Sequence, residues 1–184
     1  REIFYYTPID TSNDLYIKQI EISMAPGSHH FIAYFPGTLS KAQPENTYRA
    51  LYDENHQYSS SVMLQLNDNT FFTGTQWIYM DYQFPEGVAI EIPANSYLDL
   101  NTHYTNSTES SIKGEIQMNL YYVPLSEVTT TAQIFMDVKT DITNPANTTS
   151  TFTSDYIFDK DITMFQLFSH AHQTNTEFRA EIKG

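Results

Sequence analysis

The sequence predicts an all-β protein, built as an antiparallel jelly-roll β-sandwich. Apolar and polar residues alternate with a period of two along most of the 184 residues, which is typical of strands with one buried face. The three-four spacing of amphipathic helices is hard to find in any segment. Aromatic residues make up 15% of the chain, and they supply enough apolar area for a folded core.

The predicted strands are short and are separated by turn signals such as Pro26-Gly27 and Pro85-Glu86-Gly87. The last of this first group has Ile116, Met118 and Leu120 on one face, as expected for a half-buried antiparallel strand. The predicted strands cover residues 15–22, 29–35, 61–66, 76–84, 88–92, 97–104 and 115–123.

A domain boundary is predicted near residues 124–131, where Pro124 and a run of polar residues interrupt the alternation. This divides the chain into a first domain, 1–126, and a second, 132–184. Strands predicted in the second are 132–138, 151–158, 162–172 and 177–182. Four strands are too few to close a sandwich, so we expect a complete first domain followed by only the beginning of a similar second one.

The charge balance disfavours several partners. Nine Lys and Arg against 22 Asp and Glu give a net charge of −13, so phosphate backbones and anionic membranes would be repelled. We therefore expect no nucleic acid and no membrane partner. With no cysteine, the chain has no disulfide or thiolate ligand. The polar composition and glycosylation triplets at Asn106 and Asn147 point to a secreted or periplasmic protein.

Five of the six histidines fall in three places: His29-His30, His103, and His170-Ala171-His172. In a His-x-His strand segment the two rings leave the same face roughly 6.6 Å apart, so both can reach one metal ion. Adjacent strand residues point to opposite faces, so joint ligation by His29 and His30 requires a bulge or an irregular strand end. Imidazole ligands suit copper, zinc, iron or nickel.

His103 is predicted on the polar face of its strand, with Asp99 and Asn101, opposite Leu98 and Leu100. Such a histidine is either a solvated surface residue or a metal ligand, and its place among clustered histidines favours metal binding. The sixth histidine, His56, lies in a polar segment and is predicted to be a surface residue. Paired carboxylates for a glycosidase are a weaker alternative, because acidic residues are abundant throughout the chain.

Three segments resemble the ascorbate-dependent type II copper monooxygenases, the family of peptidylglycine α-hydroxylating monooxygenase and dopamine β-monooxygenase. They are Pro26-Gly27 with His29-His30-Phe31, Phe84-Pro85-Glu86-Gly87-Val88 with the later Thr102-His103-Tyr104, and Phe165 through His170-Ala171-His172. Their spacing, 73 residues from His30 to His103 and 67 from His103 to His170, is similar to the family's. The chain resembles a distant, cysteine-free and C-terminally incomplete member.

The resemblance implies two copper sites and ascorbate as the reductant. It implies an electron-storing copper bound by His29, His30 and His103, and an oxygen-activating copper bound by the catalytic pair His170 and His172 with a methionine. In the family that methionine lies well downstream of His-x-His, beyond residue 184. The implied reaction hydroxylates an activated C–H bond with dioxygen. We expect the 184-residue chain itself to be inactive.

Phe168 stands where the peptide-hydroxylating members have a carboxylate-binding arginine. The implied small-molecule or peptide substrate is therefore apolar near its reacting carbon. Two alternatives remain open: a secreted β-sandwich module that binds protein or glycan, and a copper-binding relative without turnover. Exposed Trp77 or Tyr79 would favour glycan binding, but the alternation of residues 76–84 predicts that both are buried.

Overall fold

The computed structural model describes residues 1–137, 139, 141–169 and 174–182. The chain divides into two compact units, Arg1–Met136 and Asp137–Gly184. The first unit is an all-β sandwich of two sheets with short helical segments. None of the helices in these described ranges is long and apolar enough to span a membrane.

Ten strands and three helical segments make up the first unit. Sheet I has the order β4-β1-β8-β3-β5, and sheet II has the order β10-β7-β2-β6 with β9 pairing β2. In chain order the elements are β1 Glu2–Pro8, β2 Leu15–Met24, β3 Ser28–Phe35, α1 Thr38–Lys41, β4 Thr47–Ala50, α2 Ser60–Asp68, β5 Thr70–Thr75, β6 Tyr79–Gln83, β7 Val88–Ile92, β8 Tyr97–Tyr104, β9 Ile116–Val123, a 3-10 turn Leu125–Glu127 and β10 Thr130–Thr131.

The main core lies between the two sheets. Ile17 and Ile22 from β2 and Ile92 from β7 are fully buried against Phe31 of β3 and Phe72 of β5. Burying a side chain of this size stabilises the fold by about 1.5–3 kcal/mol. The alternating apolar residues that predicted half-buried strands are thus the residues that hold the two sheets together.

A smaller core covers the other face of sheet I. Phe4, Leu51 and Val62 are buried there, and Met63 and Leu66 of α2 pack against them. This corrects the strand predicted at residues 61–66, which is part of α2. Val62 and Leu66 are four residues apart and so share one face of a helix. In a segment this short, an apolar pair four residues apart also fits strand alternation, in which every second residue shares a face.

The smaller core also corrects the expected environment of the polar face of β8. Asp99 is fully buried and Asn101 is 1% exposed, although their face is turned away from the main core. Asp99 accepts hydrogen bonds from Asn69 (2.8 Å) and Ser40 (3.3 Å) and pairs with Arg49. A buried charge is tolerated when it is paired and hydrogen-bonded in this way.

In the first unit, most of the strands that were predicted correctly have one apolar face. The strands predicted at 88–92 and 97–104 match β7 and β8, and those at 15–22, 29–35, 76–84 and 115–123 overlap β2, β3, β6 and β9. No strand was predicted for β1, β4, β5 or β10. In β1 both faces carry aromatic residues, as in Phe4 and Tyr5, so a sheet covered on both sides gives no alternation.

The first unit continues past the predicted boundary at 124–131. Thr130 and Thr131 pair in parallel with Val88 and Ala89, and the Ala132 amide donates to the Ala89 carbonyl at 2.8 Å. The Thr129 hydroxyl donates to the Gly87 carbonyl at 3.0 Å. These bonds tie the segment after β9 to sheet II.

The second unit differs from the sequence prediction. No strand or helix occurs in its described residues, so the strands predicted at 151–158, 162–172 and 177–182 are not observed over the part of each that is described. The same holds for 132–138 in its described part, residues 132–137. Alternation marks a segment that could form a strand, but a strand also needs a second one to accept its backbone hydrogen bonds.

Candidate metal centre

Three of the predicted ligands come together at one end of sheet I. His30 of β3 and His103 of β8 are register partners, and Glu2 of β1 is the partner of His103 on its other side. Glu2, His103 and His30 therefore form a row across three adjacent strands, on the same face as Asn101.

A bulge brings His29 to the same place. The register of β3 against β8 shifts between Ser28, which pairs with Tyr104, and His30, which pairs with His103. His29 is the extra residue, so its side chain is released from strict alternation. Joint placement of His29 and His30 was predicted to need a bulge or an irregular strand end, and the register shift confirms this prediction.

A turn before the bulge sets the start of β3. The Ser28 amide donates to the Ala25 carbonyl at 3.2 Å, and Gly27 has φ +91°. Pro at the second position and a residue with positive φ at the third are features of a type II turn. Glycine is favoured at this third position because it adopts positive φ without the strain that most side chains impose.

The three rings form a compact triangle. Ring centroids lie 5.3 Å apart for His29 and His30, 4.9 Å for His29 and His103, and 5.0 Å for His30 and His103. One nitrogen from each ring lies within 4.8 Å of the other two. Ligands about 2.1 Å from a shared ion are at most about 4.2 Å apart, so small side-chain rotations suffice for joint ligation.

Asn101 connects the histidines to Glu2. Its side-chain amide donates to Glu2 Oε1 at 3.1 Å, and its carbonyl oxygen lies 2.8 Å from His30 Nε2. The carboxylate of Glu2 is an acceptor, so the NH2 group of Asn101 must face it and the oxygen must face His30. The neutral His30 ring is then protonated at Nε2, and its lone pair is at Nδ1.

Glu2 lies between two of the histidines. Its Oε1 is 3.8 Å from His30 Nε2, and its Oε2 is 3.7 Å from His103 Nδ1. Burial raises the pKa of Glu2, but the contacts with His30 and Asn101 and the charges of His103 and His30 outweigh burial, so the pKa lies below its usual value. Glu2 is therefore ionised at neutral pH.

His103 is held in the neutral form that a metal ligand needs. Burial, only partly opposed by the charge of Glu2, lowers the pKa of His103 below the usual value for histidine. The side chains of His30 and His103 are 12% and 28% exposed, whereas His29 is exposed. The site thus has one solvent-facing ligand and two sheltered ones.

The second predicted pair, His170 and His172, lies outside the described residues. Phe168 is described; it is 57% exposed, and no strand is assigned over 162–169. The strand predicted over 162–172, which contains Phe168, is therefore not observed in its described part. His56 is exposed, as expected for a surface residue.

Two features of the molecule differ from what the sequence predicts. Trp77 and Tyr79 were expected to be buried, but they are 78% and 55% exposed. Trp77 precedes β6. Tyr79 lies on the outer face of sheet II, where its hydroxyl donates a hydrogen bond to Glu21 at 3.2 Å. Glu2 was not identified as a site residue. Only the pairing of β1 with β8 brings it to His103, and no local motif marks it.

Fold and site together define a β-sandwich with a three-histidine cluster at one end of a sheet. In the part of the chain that the structure describes, this is the one group of three histidine or acidic residues placed to hold a metal ion. No family model, curated protein or solved structure matches the chain at a significant level.

Proposed function

We propose that the protein is an exported copper-dependent monooxygenase that hydroxylates an activated C–H bond with dioxygen and ascorbate. The observation that carries the proposal is the convergence of His29, His30 and His103, with one nitrogen from each ring within 4.8 Å of the other two. Imidazole nitrogens suit copper, and among first-row divalent ions Cu²⁺ binds most tightly to such donors.

The donor set fits copper on two further grounds. The lone pair of His30 is placed at Nδ1 by Asn101, and the lowered pKa of His103 keeps that ring neutral; a metal-ligating imidazole must be neutral. Copper bound at this cluster would store one electron. The protein's part is to hold three ligands on adjacent strands and a bulge, so that ligation needs little rearrangement of the sheet.

The second copper site and the nature of the substrate are proposed from the resemblance to the copper monooxygenases. His170 and His172 are proposed to hold a second copper where dioxygen and substrate meet, and Phe168 is proposed to lie near an apolar part of a small-molecule or peptide substrate. An apolar side chain cannot pair with a carboxylate, and burying an unpaired carboxylate costs several kcal/mol. Glycine-extended peptides should therefore be poor substrates.

Ascorbate reduction of the cluster's copper tests the proposal without a second site. The copper-loaded protein should show a Cu²⁺ electron paramagnetic resonance signal with coupling to imidazole nitrogens. Ascorbate should abolish that signal under nitrogen, and air should restore it. A signal without nitrogen coupling, or one that ascorbate leaves unchanged, would contradict copper storage at this cluster. Copper-dependent oxygen consumption with ascorbate then separates a monooxygenase from a copper-binding protein without turnover.

A second candidate is a secreted binding module for protein or glycan. It is favoured by the exposed aromatic side chains of Trp77, Tyr79 and Tyr121. The carboxylate of Glu21 accepts hydrogen bonds from the hydroxyls of Tyr79 and Tyr121. Exposed aromatic residues of this kind are common in binding surfaces. Titration with glycans, in the presence of a metal chelator, should give heat that Trp77→Ala removes; binding that needs copper would contradict this reading.

A further inference from the structure

We infer that Glu2 is a positioning residue of the histidine cluster: through Asn101 its carboxylate fixes the tautomer of His30, and its charge favours the more highly charged state of a bound metal. The inference deepens the proposed function and rests on it for the metal. The part that concerns the His30 tautomer can be tested on the metal-free protein.

A chain of two hydrogen bonds leads from Glu2 through Asn101 to His30. Glu2 Oε1 accepts from the Asn101 amide at 3.1 Å, and the Asn101 oxygen is 2.8 Å from His30 Nε2. Asn101 is 1% exposed and lies next to His103 on the same face of β8. Because its amide has two distinct ends, a carboxylate at one end determines which end faces His30.

The hydrogen bond from Asn101 also determines which nitrogen of His30 can bind a metal. A proton held at Nε2 by the Asn101 oxygen leaves Nδ1 as the basic nitrogen of the neutral ring. A ligating histidine commonly donates its other ring N–H to a carboxylate or carbonyl, which fixes the orientation of the ring. In this protein, the partner is an amide whose own orientation is set by Glu2.

The charge of Glu2 also acts on the histidine cluster. The carboxylate of Glu2 is 3.8 Å from His30 Nε2 and 3.7 Å from His103 Nδ1, so it contacts two of the three rings. Its side chain is only 13% exposed, so water screens its charge weakly. A fixed negative charge behind two ligands stabilises Cu²⁺ more than Cu⁺, and a bound copper ion is therefore harder to reduce.

Two variants separate the tautomer from the charge. Glu2→Gln keeps an oxygen for the Asn101 amide but removes the charge, whereas Asn101→Leu removes the hydrogen bonds but leaves the charge. Glu45→Gln is the matched control: it removes one carboxylate that accepts from Tyr97 at 2.7 Å. Tyr97 is at the other end of β8, roughly 20 Å along the strand from His103.

The first measurement is the nitrogen-15 spectrum of the metal-free protein. The His30 ring should have the Nε2–H tautomer in the wild type and in Glu45→Gln. Asn101→Leu, which removes the hydrogen bond to His30, and Glu2→Leu, which removes the acceptor that orients Asn101, should both shift the ring towards a mixture of tautomers. An Nδ1–H tautomer in the wild type, or an unchanged tautomer in either folded leucine variant, would overturn the positioning role. This result stands whether or not the cluster binds copper.

The second measurement compares the affinities for Cu²⁺ and Cu⁺ by competition with chelators of known affinity. Glu2→Gln should lower the ratio of Cu²⁺ to Cu⁺ affinity by about tenfold, in the range typical when a residue that supports a metal ligand is changed. Glu45→Gln should leave the ratio unchanged. An equal fall for both ions, or a fall of the same size in the control, would overturn the charge role. A wild type that binds neither ion would instead refute the proposed function.

Discussion

His30 of β3 lies directly opposite His103 of β8 in the antiparallel register, with the two ring centroids 5.0 Å apart. The two residues are far apart in sequence, and only the pairing of their strands brings them together. The site therefore depends on the register of sheet I, since a slip of one residue would turn one of the two rings to the other face.

The turn before the bulge should control copper binding. In Gly27→Ala the new Cβ would lie 2.8 Å from Ile112 Cδ1, at a residue with φ +91°. We expect the free energy of unfolding to fall by about 1–2 kcal/mol and the Cu²⁺ affinity to fall with it, because the bulge at His29 follows immediately. Chemical denaturation and copper titration measure the two effects.

Gly87→Ala is the matched control for that prediction. Gly87 also has positive φ, +73°, and its Cβ would approach the Thr129 hydroxyl at 2.5 Å. Its turn joins β6 to β7 in sheet II, so a similar loss of stability should leave copper affinity unchanged. Equal losses of copper affinity in both variants would mean that destabilisation, and not the turn before β3, weakens the site.

The buried pair of Arg49 and Asp99 should be essential for stability. Asp99 is fully buried and the Arg49 side chain is 9% exposed, so Asp99→Asn would leave the guanidinium without its charge partner. Loss of one member of a buried pair typically lowers stability by about 3–5 kcal/mol. Urea denaturation measures the change in the free energy of unfolding. Asp81→Asn, at an exposed residue, is the control and should change this free energy by less than about 0.5 kcal/mol. Similar small changes in both variants would show that the pair is dispensable.

Copper affinity should fall when the pH is lowered. The pKa of His103 lies below its usual value because of burial, so this ring stays neutral to a lower pH than an ordinary histidine. We expect a constant Kd near neutral pH and weakening as the pH falls through about 6 to 4. Competitive copper titration across this pH range measures the Kd. Weakening that begins above pH 7 would contradict the assignment of His103 as a ligand.

Glu2 should contribute to stability in the metal-free protein above the pH at which it titrates. Its folded-state pKa is lowered, so the ionised form stabilises the fold; this contribution is present above the unfolded pKa, about 4.3, and is lost as the pH falls through the folded value. Wild type should therefore be more stable than Glu2→Gln at pH 6, and the difference should shrink below pH 4. Denaturation curves that differ equally at both pH values would contradict this linkage.

Much of the sandwich and part of the site could be predicted from the sequence. β7 and β8 were predicted at their observed bounds because the residues at one face are apolar. The need for a bulge at His29 followed from strand geometry alone and is confirmed by the register shift. These are local properties, which a single strand reveals.

The features that could not be predicted depend on neighbours distant in sequence. Asp99 was expected on an outward face, but it is buried among three partners distant in sequence. Ser40 lies in α1, Arg49 lies in β4, and Asn69 directly follows α2. Glu2 enters the site only because β1 pairs with β8. The alternation after residue 132 predicted strands, yet no described residue beyond β10 forms one, because alternation does not supply a pairing partner.

Copper stoichiometry in His103→Ala tests the central claim most directly. The metal-free wild type and variant would be loaded with Cu²⁺, freed of excess metal and analysed for copper per chain, with folding checked by circular dichroism. His56→Asn is the control, because His56 is exposed and has φ +59°, a conformation that asparagine tolerates. We predict that His103→Ala loses about one copper per chain and His56→Asn loses none. Unchanged copper in a folded His103→Ala protein would contradict a metal site at His29, His30 and His103.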